Sequence, residues 1–269
     1  METPGALGLI AGSGVYPLLV AESARQSGVR KIIAAAFTGE TDPTLATIVD
    51  EIEWMRVGQL GRMLDFFRKA RVRHAMMAGQ IAPKNLFDLR PDWKALLLLS
   101  RLKKRNAETI FGAIADELAD GGVELLPAST FLEKFLAPPG LIAGREPSRR
   151  EVADIAYGLE IAQEISRLDI GQTVVVKNGT VLAVEAFEGT NEAMKRGGAL
   201  ARKGAVMIKV AKANQDLRFD VPVIGAETVR IAAAANVRVI AVAAGQTLVL
   251  EKEQLISVAV EANVTIVGR

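Results

Sequence analysis

A chain of 269 residues, half of them apolar and 24% charged, is long enough to bury one large core or two ordinary ones, and its composition is that of a folded protein. The absence of cysteine and the single histidine, His74, exclude a disulfide framework, thiolate chemistry and an ordinary zinc site, and leave hard, oxygen-ligated cations such as Mg2+ as the metals to expect. Lys and Arg total 33 against 31 Asp and Glu, a mild bias towards anionic ligands that falls far short of a nucleic-acid footprint.

The N-terminal half alternates strand and helix. Leu7–Ala11 is a short apolar run, Gly12-Ser13-Gly14 a turn, and Pro17 suits the first turn of the helix that follows. Lys31–Ala36, Glu53–Val57 and His74–Ala78 read as further strands. Gln59–Ala70 is a helix with Leu60, Met63, Leu64 and Phe67 at core spacing. Ala107–Ala119 is another helix, closed by Gly121-Gly122 before a strand over Val123–Leu126. The class is α/β, with an N-terminal Rossmann-like domain over 1–134 built on a mostly parallel sheet.

In such sheets ligands bind beyond the carboxyl ends of the strands. Three turns fall there. Gly12, Ser13 and Gly14 lie between the first strand and helix, where exposed N–H groups and a helix N-terminus favour a phosphate. Pro17 stands where a dinucleotide fingerprint has its third glycine, which argues against such a cofactor. Gly58-Gln59-Leu60-Gly61-Arg62 and Gly79-Gln80, followed by Lys84, supply small residues, amides and cations for contacts to a ligand. The alternative is that these glycines only cap strands and open helices.

No basic, apolar leader opens the chain, and no apolar run approaches the ~20 residues needed to span a bilayer. A cytoplasmic protein is expected. Ala95–Leu99, followed by Arg101, Lys103, Lys104 and Arg105, suggests contact with a membrane surface, the alternative being a core helix whose basic end suits its dipole.

Pro and Gly over 135–147 read as a linker. A second α/β domain then runs over 148–269. Ser148 with Glu151 makes a capping box for a helix over Ser148–Arg167. Thr173–Lys177 and Thr180–Phe187 flank Asn178-Gly179, a hairpin signal that makes this sheet mixed. Strands follow over Val206–Val210, Val237–Val242 and Val264–Val267, with helices over Thr228–Ala235 and Lys252–Ala262. Glu185 and Lys209 sit in or beside apolar runs, so each needs a partner. Glu188, Gly189 and Thr190 open a helix, and Gln172 and Lys177 add polar groups near the hairpin.

The segment from Lys212 to Thr228 concentrates Gln215, Asp216, Arg218, Asp220 and Thr228. Read as a strand, it places Asp216, Arg218 and Asp220 on one face and Leu217, Phe219 and Val221 on the other. Acid, base, acid suits a cation and a phosphate together; a solvated charge ladder is the alternative. A straight strand would hold the two carboxylates ~13 Å apart, too far to share an ion, so either the segment bends or one carboxylate does other work.

Leu-Gly-Leu-Ile-Ala-Gly-Ser-Gly (7–14), Gly-Gln-Leu-Gly-Arg (58–62), Asp169-Ile-Gly-Gln172, Val-Glu-Ala-Phe-Glu-Gly-Thr (184–190) and Gln-Asp-Leu-Arg-Phe-Asp-Val-Pro-Val-Ile-Gly-Ala-Glu-Thr (215–228) together resemble the LpxI-type UDP-2,3-diacylglucosamine pyrophosphatases, over nearly the whole chain and in the same order. Two departures are Asn191, where the family pattern leads us to expect Asp, and Ala213, where it leads us to expect Pro. The resemblance implies a Mg2+-dependent two-domain enzyme that holds its substrate between the domains. It would hydrolyse UDP-2,3-diacylglucosamine to UMP and 2,3-diacylglucosamine 1-phosphate (lipid X) in lipid A synthesis, with water directed to the phosphorus on the sugar side. It aligns the family's essential aspartate with Asp220.

The expected catalytic group is Asp220, with Asp216 and Arg218. Asp220, Glu188 and Glu185 are the candidate metal ligands. The expected partners are the lipid-linked nucleotide sugar and, peripherally, the inner face of the cytoplasmic membrane, with no nucleic acid and with a homodimer left open. The same residues would also serve a non-catalytic two-domain sensor that closes on a nucleotide sugar or lipid.

Overall fold

The structure, a computed structural model, describes residues 3–81, 91–103, 107–212 and 216–269. The chain divides into two compact units, one of Met1–Leu132 with Asp216–Asp220, the other of Glu133–Gln215 with Val221–Arg269.

In the first unit the order is β1 (Ala6–Ala11), α1 (Tyr16–Gln26), β2 (Lys31–Phe37), β3 (Glu51–Met55), α2 (Leu60–Lys69), β4 (His74–Ala78), α3 (Trp93–Arg101), α4 (Ala107–Asp120) and β5 (Glu124–Leu125). The strands form one parallel sheet in the order β3-β2-β1-β4-β5. β2 is buried continuously from Ile32 to Phe37, as expected of a strand covered on both faces. Ile10, Ile33, Ala35, Phe37, Ala75 and Met77 point to the face covered by Met63 and Phe67 of α2, Leu98 of α3 and Leu118 of α4. α2 presents Leu60, Met63 and Phe67 to this core at helical spacing and ends with Arg68 and Lys69, which suit its dipole.

The second unit contains β6 (Gly140–Ala143), α5 (Arg149–Arg167), β7 (Thr173–Lys177), β8 (Thr180–Val184), α6 (Thr190–Ala201), β9 (Ala205–Lys209), β10 (Val223–Ile224), α7 (Ala226–Ala234), β11 (Val237–Val242), β12 (Leu248–Val249), α8 (Lys252–Glu261) and β13 (Thr265–Gly268). Its six-stranded sheet runs β6-β13-β11-β9-β7-β8, and β10 pairs with β12 separately. β9, β11 and β13 are parallel, while β7 opposes both its neighbours and β6 opposes β13. Ile155, Ala162 and Ile165 of α5 cover one face against Val174, Val176, Val206 and Ile208. Met194 of α6, Val229 of α7 and Leu255 of α8 join the core on the other.

The hairpin expected at Asn178-Gly179 is present. Both residues have positive φ, 49° and 71°, as a two-residue turn of this hand requires. Buried Asp154 of α5 accepts from both turn N–H groups, at 2.9 Å from Asn178 and 2.7 Å from Gly179. The capping box of α5 also forms, with both Ser148 and Glu151 engaged.

Two expectations need correction. The Pro- and Gly-rich stretch 135–147 carries β6, which pairs with β13 as an edge of the six-stranded sheet. The segment after Lys212 is not a long strand. Asp216–Asp220 is a turn in the first unit, and only Val223–Ile224 is extended in a ladder. Phe219 and Asp220 both donate their N–H to the Asp216 carbonyl, at 3.1 and 3.0 Å, so the backbone coils. The alternating apolar residues that suggested a strand are separated: Phe219 packs into the first unit's core and Leu217 is exposed.

Candidate active site

At the carboxyl edge of the first sheet, the β1 and β4 turns meet backbone to backbone. Gly12 N–H donates to Ala78 O and Ser13 N–H to Gln80 O, both at 2.7 Å, and Ser13 Oγ donates to the same Gln80 oxygen at 2.8 Å. A Cβ at Gly12 would lie 2.6 Å from Gln80 O, and one at Gly79 2.6 Å from Ser13 O. These two glycines are therefore required by the close crossing of two turns. The N–H groups of Gly12 and Ser13, expected to face a phosphate, are already committed. A ligand oxygen at this turn must be met from Gly14 onward.

The Gly58–Arg62 turn is also occupied from within. Asp92, which caps α3 through Ala95 N–H at 2.9 Å, accepts Gly61 N–H with its other oxygen at 2.7 Å. A protein carboxylate thus sits at the head of α2, where an anionic ligand was expected. Gln59 accepts from Arg56 N–H at 2.8 Å, and Arg62 pairs with Glu53 at 2.6 Å. These residues order the loop. Asp92 went unread in the sequence, although an Asp ahead of an apolar run is an ordinary helix-start signal. Lys84 and Gln215 lie outside the described residues.

On the turn from Asp216 to Asp220, Asp216 grips Arg218 with both carboxylate oxygens, at 2.9 Å to Nε and 2.6 Å to the terminal nitrogen. Arg218 holds the Asp216 carboxyl below the usual carboxylate range, and Asp216 in turn raises the guanidinium. The fork is fixed in a defined direction. Asp220 closes the turn and is half-buried.

The second unit gathers a buried polar cluster at the end of its sheet where β8 and β9 finish and β7 begins. Glu185, just past β8, accepts from Thr190 Oγ1 at 3.0 Å and from Gln172 N–H at 3.4 Å. Lys209, the last residue of β9, donates to Thr190 Oγ1 and to Val223 O, both at 3.4 Å. Thr173 Oγ1 lies 3.2 Å from Thr190 Oγ1. Glu185 and Lys209 are only 7% and 8% exposed, so each is bound to find partners. Thr190 is the first residue of α6, whose positive end faces the cluster. Gln172, Glu185, Thr190 and Lys209 were expected in the site and come together here; Thr173 was not singled out.

Four other expected residues have structural work. Lys177 is at the far end of β7 from Thr173, ~13 Å along the strand, and donates to Ala201 O at 2.8 Å and Lys203 O at 2.6 Å, capping the C-terminal end of α6. Thr228 Oγ1 accepts Gly225 N–H at 3.2 Å at the head of α7. Glu188 binds Arg196 at 2.6 Å, and its own backbone N–H and that guanidinium hold its carboxyl below the usual range. Gly189, φ 84°, caps α6 by conformation.

A family model for the LpxI N-terminal domain matches residues 6–135, and one for the LpxI C-terminal domain matches residues 138–267. The chain belongs to the LpxI family. A curated relative, the UDP-2,3-diacylglucosamine pyrophosphatase LpxI of Caulobacter vibrioides, is 30% identical over 97% of this chain and 96% of its own length. Among solved structures, the biotin carboxylase domain of the Hydrogenobacter thermophilus 2-oxoglutarate carboxylase aligns at TM-score 0.29 and 12% identity, over 67% of this chain and 36% of that one. A likeness that slight carries no argument.

Among the described residues of this LpxI chain, no three His, Cys, Asp or Glu side chains form a metal-binding group. Glu188 and Asp216, gripped by arginines, are poor ligands. A Mg2+ that arrives with a diphosphate needs only one or two protein carboxylates, since phosphate oxygens and water complete its octahedron. Glu185 in its cluster and Asp220 on its turn are each a carboxylate of the kind such an ion takes, one in each unit. No helix among the described residues is long and apolar enough to cross a membrane.

Proposed function

We propose that this enzyme hydrolyses the diphosphate of UDP-2,3-diacylglucosamine to UMP and 2,3-diacylglucosamine 1-phosphate, a step of lipid A biosynthesis. Membership of the LpxI family makes the chain a hydrolase. The observation that carries the substrate reading is the buried cluster of Lys209, Thr190, Thr173 and Glu185 at the head of α6. An ammonium and a helix N-terminus favour phosphate oxygens, and a buried carboxylate beside them suits a cation travelling with those oxygens.

Water attacks the phosphorus on the sugar side. Its oxygen bonds to that phosphorus, the bridging P–O bond breaks, and the bridging oxygen leaves on UMP. Asp220 accepts the proton of the attacking water. Arg218, aimed by Asp216, meets the charge that grows on the phosphoryl oxygens. Asp220 or Glu185 would hold a Mg2+, which would supply neutralisation of the diphosphate charge. The exposed apolar face of α3, with Trp93 78% exposed beside Leu96 and Leu97 and followed by Arg101 and Lys103, supports peripheral contact with an anionic membrane surface.

The test is to incubate the protein with MgCl2 and UDP-2,3-diacylglucosamine in 18O-labelled water and follow products by phosphorus NMR and mass spectrometry. UMP should appear, with the label in the sugar phosphate. Tight binding without UMP would instead favour the sensor, and label in UMP would move the attack to the other phosphorus.

A further inference from the structure

We propose that Tyr16 is a positioning residue for the hydrolysis: its hydroxyl fixes Ala128, and Ala128 seats the turn that carries Asp216, Arg218 and Asp220. The proposal rests on the roles given to Asp220 and Arg218 above. Every residue of this relay belongs to the first unit. Tyr16 opens α1 and is only 9% exposed. A buried phenol must find a partner for its hydroxyl. This one donates to the carbonyl of Ala128, 112 residues further along the chain. Burial raises the phenol's pKa, so the hydroxyl keeps its proton well above neutral pH.

Ala128 passes the constraint on. Its N–H donates to Leu217 O at 2.7 Å, so the two peptide groups that flank its Cα are held at once, one by Tyr16 and the other by the turn. Ala128 is 1% exposed, and close packing leaves it little room to rotate away. The backbone around it is also strained. After Leu126, whose N–H donates to Ala75 O at 2.8 Å, the chain bends twice, with Thr130 N–H on Pro127 O and Leu132 N–H on Ser129 O, both at 2.9 Å. Phe131 has φ 66°, a left-handed conformation that a bulky residue rarely adopts. Such strain persists only where the surroundings over-determine the backbone, and it gathers at functional sites.

The turn is also met by α4. Phe111 packs on Phe219, and Asp116 of the same helix adds to the field that raises the Arg218 guanidinium. An aromatic contact tolerates sliding, whereas a hydrogen bond weakens steeply with angle. The relay from Tyr16 therefore supplies the directional part of the seat. A general base and a guanidinium need that direction if they are to meet one water and one phosphoryl group together.

The test measures kcat and KM for UDP-2,3-diacylglucosamine in wild type, Tyr16→Phe, Asp220→Asn and the double variant, with thermal melts to confirm folding. Hydrogen exchange of the peptide spanning 216–220, read by mass spectrometry, gives a second readout independent of turnover. Tyr16→Phe keeps the ring and removes one oxygen. It should lower kcat about 10–100-fold with KM within about threefold, and speed exchange in the turn about tenfold or more. On the Asp220→Asn background its effect on kcat should shrink to about threefold or less. Should Tyr16→Phe fail to fold, Phe111→Leu loosens the other support and should show the same pattern. A folded Tyr16→Phe with wild-type kcat and wild-type exchange would overturn the proposal. So would a loss that multiplies in full with that of Asp220→Asn, since the hydroxyl would then serve packing alone. Faster exchange in Tyr16→Phe, with full turnover in Asp220→Asn or no UMP from wild type, would uphold the seat and sink the reading of the reaction on which the role of Tyr16 rests.

Discussion

Phe219 rests on Phe111 with their rings tilted by 38° and their centroids 5.8 Å apart. This contact, together with the 2.7 Å hydrogen bond from Ala128 N–H to Leu217 O, holds the Asp216–Asp220 turn in the first unit. The turn is anchored by its one aromatic residue, partly buried against the first unit's core, which leaves its charged residues to their own work.

Asp220→Asn should lower kcat for UMP release by about 10²–10⁴-fold, the ordinary range for loss of a general base, with little change in melting temperature. Asp216→Asn should act through Arg218, reducing turnover less, and its stability cost should stay near 0–1 kcal/mol because the pair is partly exposed. Near-normal turnover in Asp220→Asn would mean that another group takes the proton.

Lys177→Met should destabilise the protein by about 1–2 kcal/mol through loss of two carbonyl partners at the end of α6. KM and kcat should stay within about twofold, because 1.4 kcal/mol is tenfold in a binding constant and no such contact is lost. Urea unfolding alongside kinetics checks both halves; a large rise in KM would return Lys177 to the binding site.

Gly14→Ala and Gly79→Ala share one penalty, since their φ values are 85° and 89°, a strain of about 1–2 kcal/mol for a residue with a Cβ. Only Gly79 adds a collision, 2.6 Å from Ser13 O, whereas a Cβ at Gly14 meets nothing within 4 Å. Gly79→Ala should therefore cost about 1–3 kcal/mol more than Gly14→Ala. Equal losses in calorimetry would show that the two turns separate easily.

Glu151 is held down to about 2, from an ordinary value of 4.5, by the Arg145 guanidinium first and by the Ser148 N–H. A depressed carboxyl stabilises the fold above its unfolded pKa, and that gain is lost as pH falls from about 4.5 towards 2. Arg145 is largely exposed, so solvent screening limits the effect to roughly 1–2 kcal/mol. Glu151→Gln should be less stable than wild type by that amount at pH 7, and the gap should close near pH 2. A gap that stays constant across this range would assign the loss to the capping geometry instead.

Trp93→Ala should weaken co-sedimentation with vesicles containing anionic lipid by several-fold, and salt should weaken it further through Arg101 and Lys103. Binding that ignores both would place the membrane contact elsewhere.

Much of the architecture was legible because period and punctuation agreed. The strands β1, β2 and β4, the helix α2 and the Asn178-Gly179 hairpin each combine an apolar period with a turn residue of fixed conformational demand. β6 was missed because the three residues between Pro-Pro-Gly and Gly-Arg-Glu-Pro show no period, and their strand character comes from β13 alongside. The Asp216–Asp220 turn was misread because Leu217 and Phe219 mimic alternation while only Phe219 has a buried partner. Glu185 and Lys209 were readable as charges in apolar company. Lys177 looked equivalent in the sequence, and strand direction alone sets it at the opposite end from Thr173.

Because five residues far along the polypeptide complete the first unit, the chain leaves that unit after Leu132, returns for Asp216–Asp220, and leaves again. No single scission can release two whole modules. During synthesis the first module stays unfinished until much of the second has emerged, so maturation of the two is coupled in time by the path of the backbone.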